Sequence, residues 1–273
     1  ASTLGIDRLP LTKSLLERRG AEVDADRIPQ APAPRAPWNK TITAHRRFVG
    51  FSQNLEEYKM VKRTFGTTLN DVVMAVTGSA LRRYLESHNA LPEDPLKAMI
   101  PVSVRTEAQA AEYTNRVATI IAELATDEKD PVERLQRIHR AMVAAKRMHE
   151  ATPATLLQDW TEFAMPALLA QAQRVAARTK ILDRLNPPFN VIISNVPGPR
   201  ESLYMGGAEM QTYYPVSAIT DGQGLNVTVV SYRDHLDFGL IACRELVPDI
   251  EVLRTAFDES LAELVHLATN EAK

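Results

Sequence analysis

The feature that most constrains the fold of this chain is a predicted strand with a sharply defined end, within Asn190–Arg200. Val191–Ile193 form a β-branched run, which favours a buried strand. The run ends at Ser194 and Asn195, and a Pro-Gly-Pro turn at 197–199 then excludes both strand pairing and a helix. The sequence therefore predicts a buried strand whose last two polar side chains are held in place by a rigid turn.

The hydroxyl of Ser194 and the amide of Asn195 suit a particular chemistry. Both groups donate hydrogen bonds, and preorganised donors stabilise the oxyanion that develops during acyl transfer. Ser-Asn before Pro-Gly is also ordinary turn chemistry, in which the same side chains satisfy the backbone of their own turn. The residue types alone leave both interpretations open.

The hydrophobic pattern along the rest of the chain alternates between period 2 and period 3.6. This interleaving predicts a mixed α/β sheet with helices covering one face. Strands are expected near residues 42–52, 97–104, 116–124, 190–196, 208–218, 225–232 and 236–243. Helices are expected at Leu55–Phe65, at Asn70–Ser87, from Asp130, over 154–185 with a kink at Pro166, and from Pro248 to the end.

The helix expected at Asn70–Ser87 begins with a capping signal. Thr68 is a good N-cap, and Asp71 three residues later approximates a capping box and suits the helix dipole. Asn70 and Asp71 therefore have a structural explanation from their residue types alone.

The N-terminal segment is typical of a linker rather than of the start of a domain. Leu9–Arg19 predicts a short amphipathic helix, and the four prolines between Pro29 and Pro37 indicate a semi-extended linker. Trp38 follows directly, and a tryptophan in a linker usually packs on something. We therefore expect residues 1–41 to be a helix and crossover linker from an upstream half, and residues 42–273 to be a C-terminal half.

Composition excludes several classes of function. The chain has 32 Lys and Arg against 34 Asp and Glu, a net charge of −2, so the basic excess of a nucleic-acid-binding protein is absent. One cysteine, Cys243, excludes an internal disulfide and suits a reducing cytosol. None of the six histidines has metal-ligand spacing, and no apolar run of about 18 residues is present to span a membrane.

Four motifs follow one another along the chain. They are Asn-Asp-Val-Val at 70–73, Pro-Val-Ser-Val-Arg at 101–105, the segment 126–135, and Ser-Asn-Val-Pro-Gly-Pro at 194–199. In this order they resemble the bacterial wax ester synthase/acyl-CoA:diacylglycerol acyltransferase family, from about Arg46 to the end. The family's catalytic signature, His-His-x-x-x-Asp-Gly, is absent. Asp221-Gly222 lacks the preceding histidines and is interpreted as a turn.

The resemblance implies a chloramphenicol-acetyltransferase-like fold, in which two halves share one tunnel. The partner of this chain would be the N-terminal half with His-His-x-x-x-Asp-Gly, which would supply the general-base histidine. The reaction implied moves a fatty acyl group from acyl-CoA to diacylglycerol or a long-chain alcohol, with no cofactor besides the acyl-CoA substrate. This chain alone is expected to be inactive and cytoplasmic, with peripheral contact to a membrane or lipid droplet.

The resemblance also implies roles for individual residues. Ser194 and Asn195 match the position at which related acyltransferases place an oxyanion donor. Five further motif residues are expected to bind substrate or to shape the site: Asn70, Asp71, Arg105, Pro197 and Gly198. The alternative function is a non-catalytic binding or scaffold module of the same fold.

Overall fold

A mixed sheet and four helices make up the part of the chain that the computed structural model describes, namely residues 32–103, 117–151 and 183–271. The strands are β1 (Arg46–Asn54), β2 (Lys97–Ser103), β3 (Val117–Glu123), β4 (Val191–Val196), β5 (Tyr204–Met205), β6 (Ala208–Glu209), β7 (Leu225–Tyr232) and β8 (His235–Cys243). The helices are α1 (Leu55–Thr64), α2 (Leu69–Ser87), α3 (Pro131–Ala151) and α4 (Ile250–Glu271).

Six of these strands form the main sheet in the order β1-β8-β7-β4-β2-β3. The pairs β4–β7 and β2–β4 are parallel, whereas β1–β8, β7–β8 and β2–β3 are antiparallel. Strand β4, which ends in the Ser-Asn pair, therefore lies at the centre of the sheet, with a parallel neighbour on each side.

The four helices pack on one face of this sheet and enclose a single hydrophobic core. Phe238 of β8 stacks on Phe51 of β1 with 5.1 Å between ring centroids, and both rings contact Phe257 of α4. Alternate residues of β7 and β8 are buried in this core, as the period-2 pattern predicts: Leu225, Val227, Val229, Leu236, Phe238 and Leu240. The predicted mixed α/β layers with helices on one face are confirmed.

The strand predicted over 208–218 is wrong for most of its length. Only Ala208–Glu209 pairs, in a two-stranded hairpin with β5. Residues 214–217 then cross the uncovered face of the main sheet, which is the face opposite the helices, where they contact Gly50, Gly239 and Thr228. The amide of Tyr213 donates to the buried carboxylate of Asp237 at 2.6 Å, and Pro215 has no amide to donate. Although its sequence pattern is strand-like, this segment therefore lacks the free backbone donors that a β-ladder requires.

Strand β1 begins at Arg46, four residues later than predicted. The amide of Ile42 donates to the Asp221 carboxylate at 2.9 Å, and the amide of Thr43 donates to the Cys243 sulfur at 3.4 Å. Because side chains accept from these two amides, the backbone joins the ladder only after them.

The linker residues from 32 to 40 pack against the body of the protein. Trp38 is fully buried, as expected of a tryptophan that follows such a linker, and its indole donates to the Asn190 carbonyl at 2.9 Å. The Asn190 side chain donates to Pro34 and Asn39, and it accepts from the amide of Lys97. Asn190 thus joins the linker, β2 and the start of β4.

The helix predicted over 154–185 falls almost entirely outside the described residues. The helix predicted at Leu9–Arg19 also lies outside them, so it stays a prediction. The four remaining helix predictions are confirmed within a few residues of the predicted bounds, by α1, α2, α3 and α4.

Candidate functional site

The C-terminal end of β4 meets the N-terminus of α2, and the capping signal of α2 is present as predicted. The Thr68 hydroxyl accepts from the Asp71 amide at 3.2 Å, and the Asp71 carboxylate accepts from the Thr68 amide at 2.9 Å. Asp71 therefore acts as a capping residue. Because α2 is 19 residues long, the partial positive charge of its dipole is concentrated at this end.

Asn70 takes no part in this cap, although its residue type suggested that it would. Its side-chain oxygen instead accepts a hydrogen bond from the Asn195 side-chain amide at 3.2 Å. The structure thus brings together two predicted site residues that are 125 positions apart in the chain. No local sequence signal predicts such a contact; the order of the motifs was the only indication that the two residues belong to one site.

Ser194 and Asn195 lie on opposite faces of the sheet, because successive side chains of a strand alternate. Asn195 pairs in register with Val229, which lies in the core under the helices. Ser194 pairs with Thr228, whose hydroxyl bonds to Ser217 of the segment that crosses the uncovered face. The two candidate donors therefore do not converge on one point, and only Asn195 lies beside the N-terminus of α2.

The Pro-Gly-Pro turn is held against the β7–β8 hairpin. The amide of Gly198 donates to the Ser231 hydroxyl at 3.0 Å, and the amide of Arg233 donates to the Pro199 carbonyl at 3.1 Å. A Cβ at Gly198 would lie only 2.1 Å from the Ser231 carbonyl oxygen, so no larger residue fits without movement of the backbone. Pro197 and Gly198 thus belong to a turn that fixes the end of β4.

Comparison with known proteins identifies the family. The family model of the WS/DGAT C-terminal domain matches residues 113–265, and that of the wax ester synthase/diacylglycerol acyltransferase catalytic domain matches residues 8–73. The chain belongs to the wax ester synthase/diacylglycerol acyltransferase family. The resemblance carried by the four motifs is confirmed.

Relatives in this family include the O-acyltransferase WSD of Acinetobacter baylyi, which is 38% identical over 240 residues, covering 86% of this chain and 50% of the relative. A probable diacylglycerol O-acyltransferase of Mycobacterium tuberculosis is 39% identical over 232 residues, covering 85% of this chain and 50% of the relative. The chain therefore spans about half the length of the curated relatives it matches.

Solved structures agree with this assignment. The wax ester synthase/diacylglycerol acyltransferase from Marinobacter aquaeolei VT8 matches with a TM-score of 0.71 and 37% identity, over 87% of this chain and 53% of that one. The epimerization domain of tyrocidine synthetase B matches with a TM-score of 0.52 at 11% identity, over 90% of this chain and 54% of that one, which shows the fold alone. The predicted chloramphenicol-acetyltransferase-like fold is confirmed.

A histidine that sequence reasoning missed contacts the family's Asn-Asp motif. The Nδ1 of His139, on α3, lies 2.7 Å from the Asp71 carboxylate. The Asp71 side chain is 2% exposed and that of His139 is 29% exposed. The two residues are 68 positions apart, so only the fold shows the pair.

The remaining site predictions have different outcomes. Arg105 lies outside the described residues, so its role stays a prediction. Asp221-Gly222 forms the predicted turn, in which Gly222 has a φ of 81° and its amide donates to the Lys40 carbonyl. Within the described ranges, no three His, Cys, Asp or Glu side chains are grouped so that they could hold a metal ion.

Exposed hydrophobic side chains are concentrated in the segment that follows β4 in the chain. Eleven large hydrophobic side chains are exposed among the described residues, and seven of them lie from the last residue of β4 to the residues before β7. We call these seven the apolar strip: Val196, Leu203, Tyr204, Met205, Tyr213, Tyr214 and Val216. Met205, in the β5–β6 hairpin, is 85% exposed. Exposed apolar side chains that are concentrated in one segment make it a candidate binding surface.

Proposed function

We propose that this chain is the C-terminal part of an O-acyltransferase that moves a fatty acyl group from acyl-CoA to diacylglycerol or a long-chain alcohol. Membership of the wax ester synthase/diacylglycerol acyltransferase family carries this proposal. The contact between Asn195 and Asn70 supports it, because it joins two of the family-like motifs at one end of the sheet.

In the proposed reaction, a histidine of the N-terminal half takes the proton from the acceptor hydroxyl, and the hydroxyl oxygen attacks the thioester carbon. The C–S bond of the tetrahedral intermediate then breaks, and the CoA thiolate takes up the proton from the histidine. Acyl-CoA is a substrate, and the reaction as proposed uses no cofactor.

The tetrahedral intermediate carries a negative oxygen that needs donors in a dry site. A side-chain amide has two N–H donors, and Asn195 directs one of them to Asn70, which leaves the other for the oxyanion. The N-terminus of α2 adds a favourable dipole at the same place. Ser194 points to the other face of the sheet, so the geometry supports Asn195 in this role and not Ser194.

The partner in this proposal is the N-terminal half with His-His-x-x-x-Asp-Gly, held non-covalently or within one polypeptide. The apolar strip supports it, because the strip follows directly on β4, which ends at the candidate site. Size-exclusion chromatography and a hydrophobic dye test this point. We expect the chain alone to bind the dye and to associate; a monodisperse, stable chain that binds no dye would contradict the proposed interface.

Peripheral attachment to a membrane or a lipid droplet, from the cytoplasm, is the localisation that the proposed lipid substrates favour. None of the helices across the described ranges has the length and apolarity needed to cross a membrane. Flotation of the complete protein with neutral-lipid emulsions tests the proposal, and a protein that stays at the bottom of the gradient would contradict it.

The proposed function itself is tested by an acyl-transfer assay. Labelled acyl-CoA is supplied with diacylglycerol or with a long-chain alcohol, and ester formation is measured for this chain alone and for the complete protein with both halves. We expect ester only from the complete protein. A complete, folded protein that forms neither ester would overturn the proposal and favour the scaffold alternative.

A further inference from the structure

The His139–Asp71 pair has a defined donor and acceptor. A carboxylate only accepts hydrogen bonds, so Nδ1 of His139 is protonated and is the hydrogen-bond donor. Its acceptor is the same Asp71 oxygen that accepts from the Thr68 amide. This oxygen is buried, and a buried carboxylate oxygen that loses a donor pays a desolvation penalty. His139 is therefore part of what holds Asp71 in its capping position.

The capping position of Asp71 determines where Asn70 stands, because the two residues are neighbours in the first turn of α2. Asn70 in turn accepts the hydrogen bond that orients Asn195. A continuous set of contacts thus runs from α3 through the first turn of α2 to the end of β4. These contacts join three elements, so we expect a shift of α3 to displace Asn195.

We propose that His139 is a positioning residue of the acyl-transfer site, which acts by holding the first turn of α2 so that Asn70 keeps Asn195 in place. The inference rests on the proposed function, because it assigns His139 to the site in which Asn195 is the proposed donor. His139 touches neither substrate nor oxyanion in this role. Its effect on turnover comes from geometry alone, and misplacement of a catalytic group by about 1 Å costs on the order of 100-fold.

The test measures turnover by the complete two-half enzyme carrying His139→Leu. Because an oxyanion contact exists only in the transition state, kcat is expected to fall about 10- to 100-fold while the KM for acyl-CoA stays unchanged. His139→Asn is expected to restore most of the turnover, since its amide nitrogen occupies the position of Nδ1 relative to Cβ. If His139→Leu does not fold, His139→Gln replaces it; its amide matches Nε2 instead and is expected to lose turnover as well.

Gln136→Leu is the matched control. Gln136 lies one turn earlier on α3, and its amide donates to the Phe65 carbonyl at 2.8 Å, in the loop that precedes α2. The substitution therefore removes one hydrogen bond between α3 and the same region but leaves the capping box intact. Turnover is expected to stay within about twofold of wild type, because the site contacts are untouched.

The same substitutions in an Asn195→Ala background separate this inference from the proposed function. In that background, the addition of His139→Leu is expected to lower kcat by less than about a further threefold, since the contact that His139 supports is already lost. If Asn195→Ala loses turnover but folded His139→Leu keeps it, the inference about His139 is overturned and the proposed donor stands. If Asn195→Ala itself keeps turnover, the donor role fails and His139 has nothing to position.

Discussion

Replacement of Asn190 by alanine is expected to destabilise the protein more than the small size of the asparagine side chain suggests. Asn190 is fully buried, and its side chain makes three hydrogen bonds. The amide donates to the Pro34 carbonyl at 2.5 Å and to the Asn39 side chain at 2.9 Å, while the oxygen accepts from the Lys97 amide at 2.9 Å. Alanine at this position removes all three bonds at once.

The expected magnitude follows from the groups that are left behind. A buried polar group that loses its partner costs about 1–3 kcal/mol, and partial hydration of the new cavity recovers some of this cost. The Asn39 oxygen keeps a donor in the Ala36 amide, so the loss is counted for two groups only. The free energy of unfolding is therefore expected to fall by about 2–4 kcal/mol. Asn226→Ala is the control, because Asn226 is 3% exposed but its oxygen accepts only from Thr228 among the described residues. It is expected to cost about 1–2 kcal/mol.

Urea unfolding followed by far-ultraviolet circular dichroism measures both variants. Trp38 fluorescence, isolated by Trp160→Phe, reports whether the linker detaches, because the Trp38 indole is buried beside Asn190. We expect a red shift of this emission in Asn190→Ala and none in Asn226→Ala. Equal losses of stability in the two variants, with no red shift, would refute the argument that Asn190 joins the linker to the sheet.

Three further predictions concern stability. Thr68→Ala removes the N-cap of α2 and is expected to cost about 1 kcal/mol, measured as a lower Tm; an unchanged Tm would contradict the cap. Gly198→Ala places a Cβ 2.1 Å from the Ser231 carbonyl and is expected to cost at least about 1–3 kcal/mol in urea unfolding, so wild-type stability would contradict the close packing. Hydrogen bonds from the hydroxyl of Thr43 and the ring of His45 lower the pKa of Glu245 to about 2 from its ordinary value of 4.5. A lowered carboxyl pKa stabilises the fold above the ordinary value, and this contribution is lost as pH falls through the lowered value. An NMR titration of Glu245 tests this, and a midpoint near 4.5 would contradict it.

Local patterns predicted much of this fold from sequence. The capping box of Thr68 and Asp71, the alternating core residues of β7 and β8, and the abrupt end of β4 depend on neighbouring residues, so they can be recognised in the sequence. The segment after Glu209 failed because tertiary contacts override its pattern. The Asp237 carboxylate accepts a hydrogen bond from the Tyr213 amide, and no local sequence pattern predicts that acceptor.

The candidate site was harder to predict, because its contacts join distant parts of the chain. Asn195 was identified from the turn that follows it, but its partner Asn70 is explained locally as a capping residue until the fold is known. His139 carries no motif at all and becomes visible only through Asp71. Both Ser194 and Asn195 were predicted as candidate donors from their position before the turn, but successive side chains of a strand alternate, so the two lie on opposite faces of the sheet.

The most direct test of the account compares Asn195→Ala with Ser194→Ala in the complete enzyme. Turnover and Tm are measured on each purified variant, so that loss of folding and loss of catalysis are distinguished. We predict that Asn195→Ala lowers kcat on the order of 100- to 1000-fold with little change in Tm, whereas Ser194→Ala keeps most of its turnover. The loss of one oxyanion donor lowers turnover by far more than about threefold. If Asn195→Ala keeps at least about a third of the wild-type turnover, Asn195 is therefore not the donor.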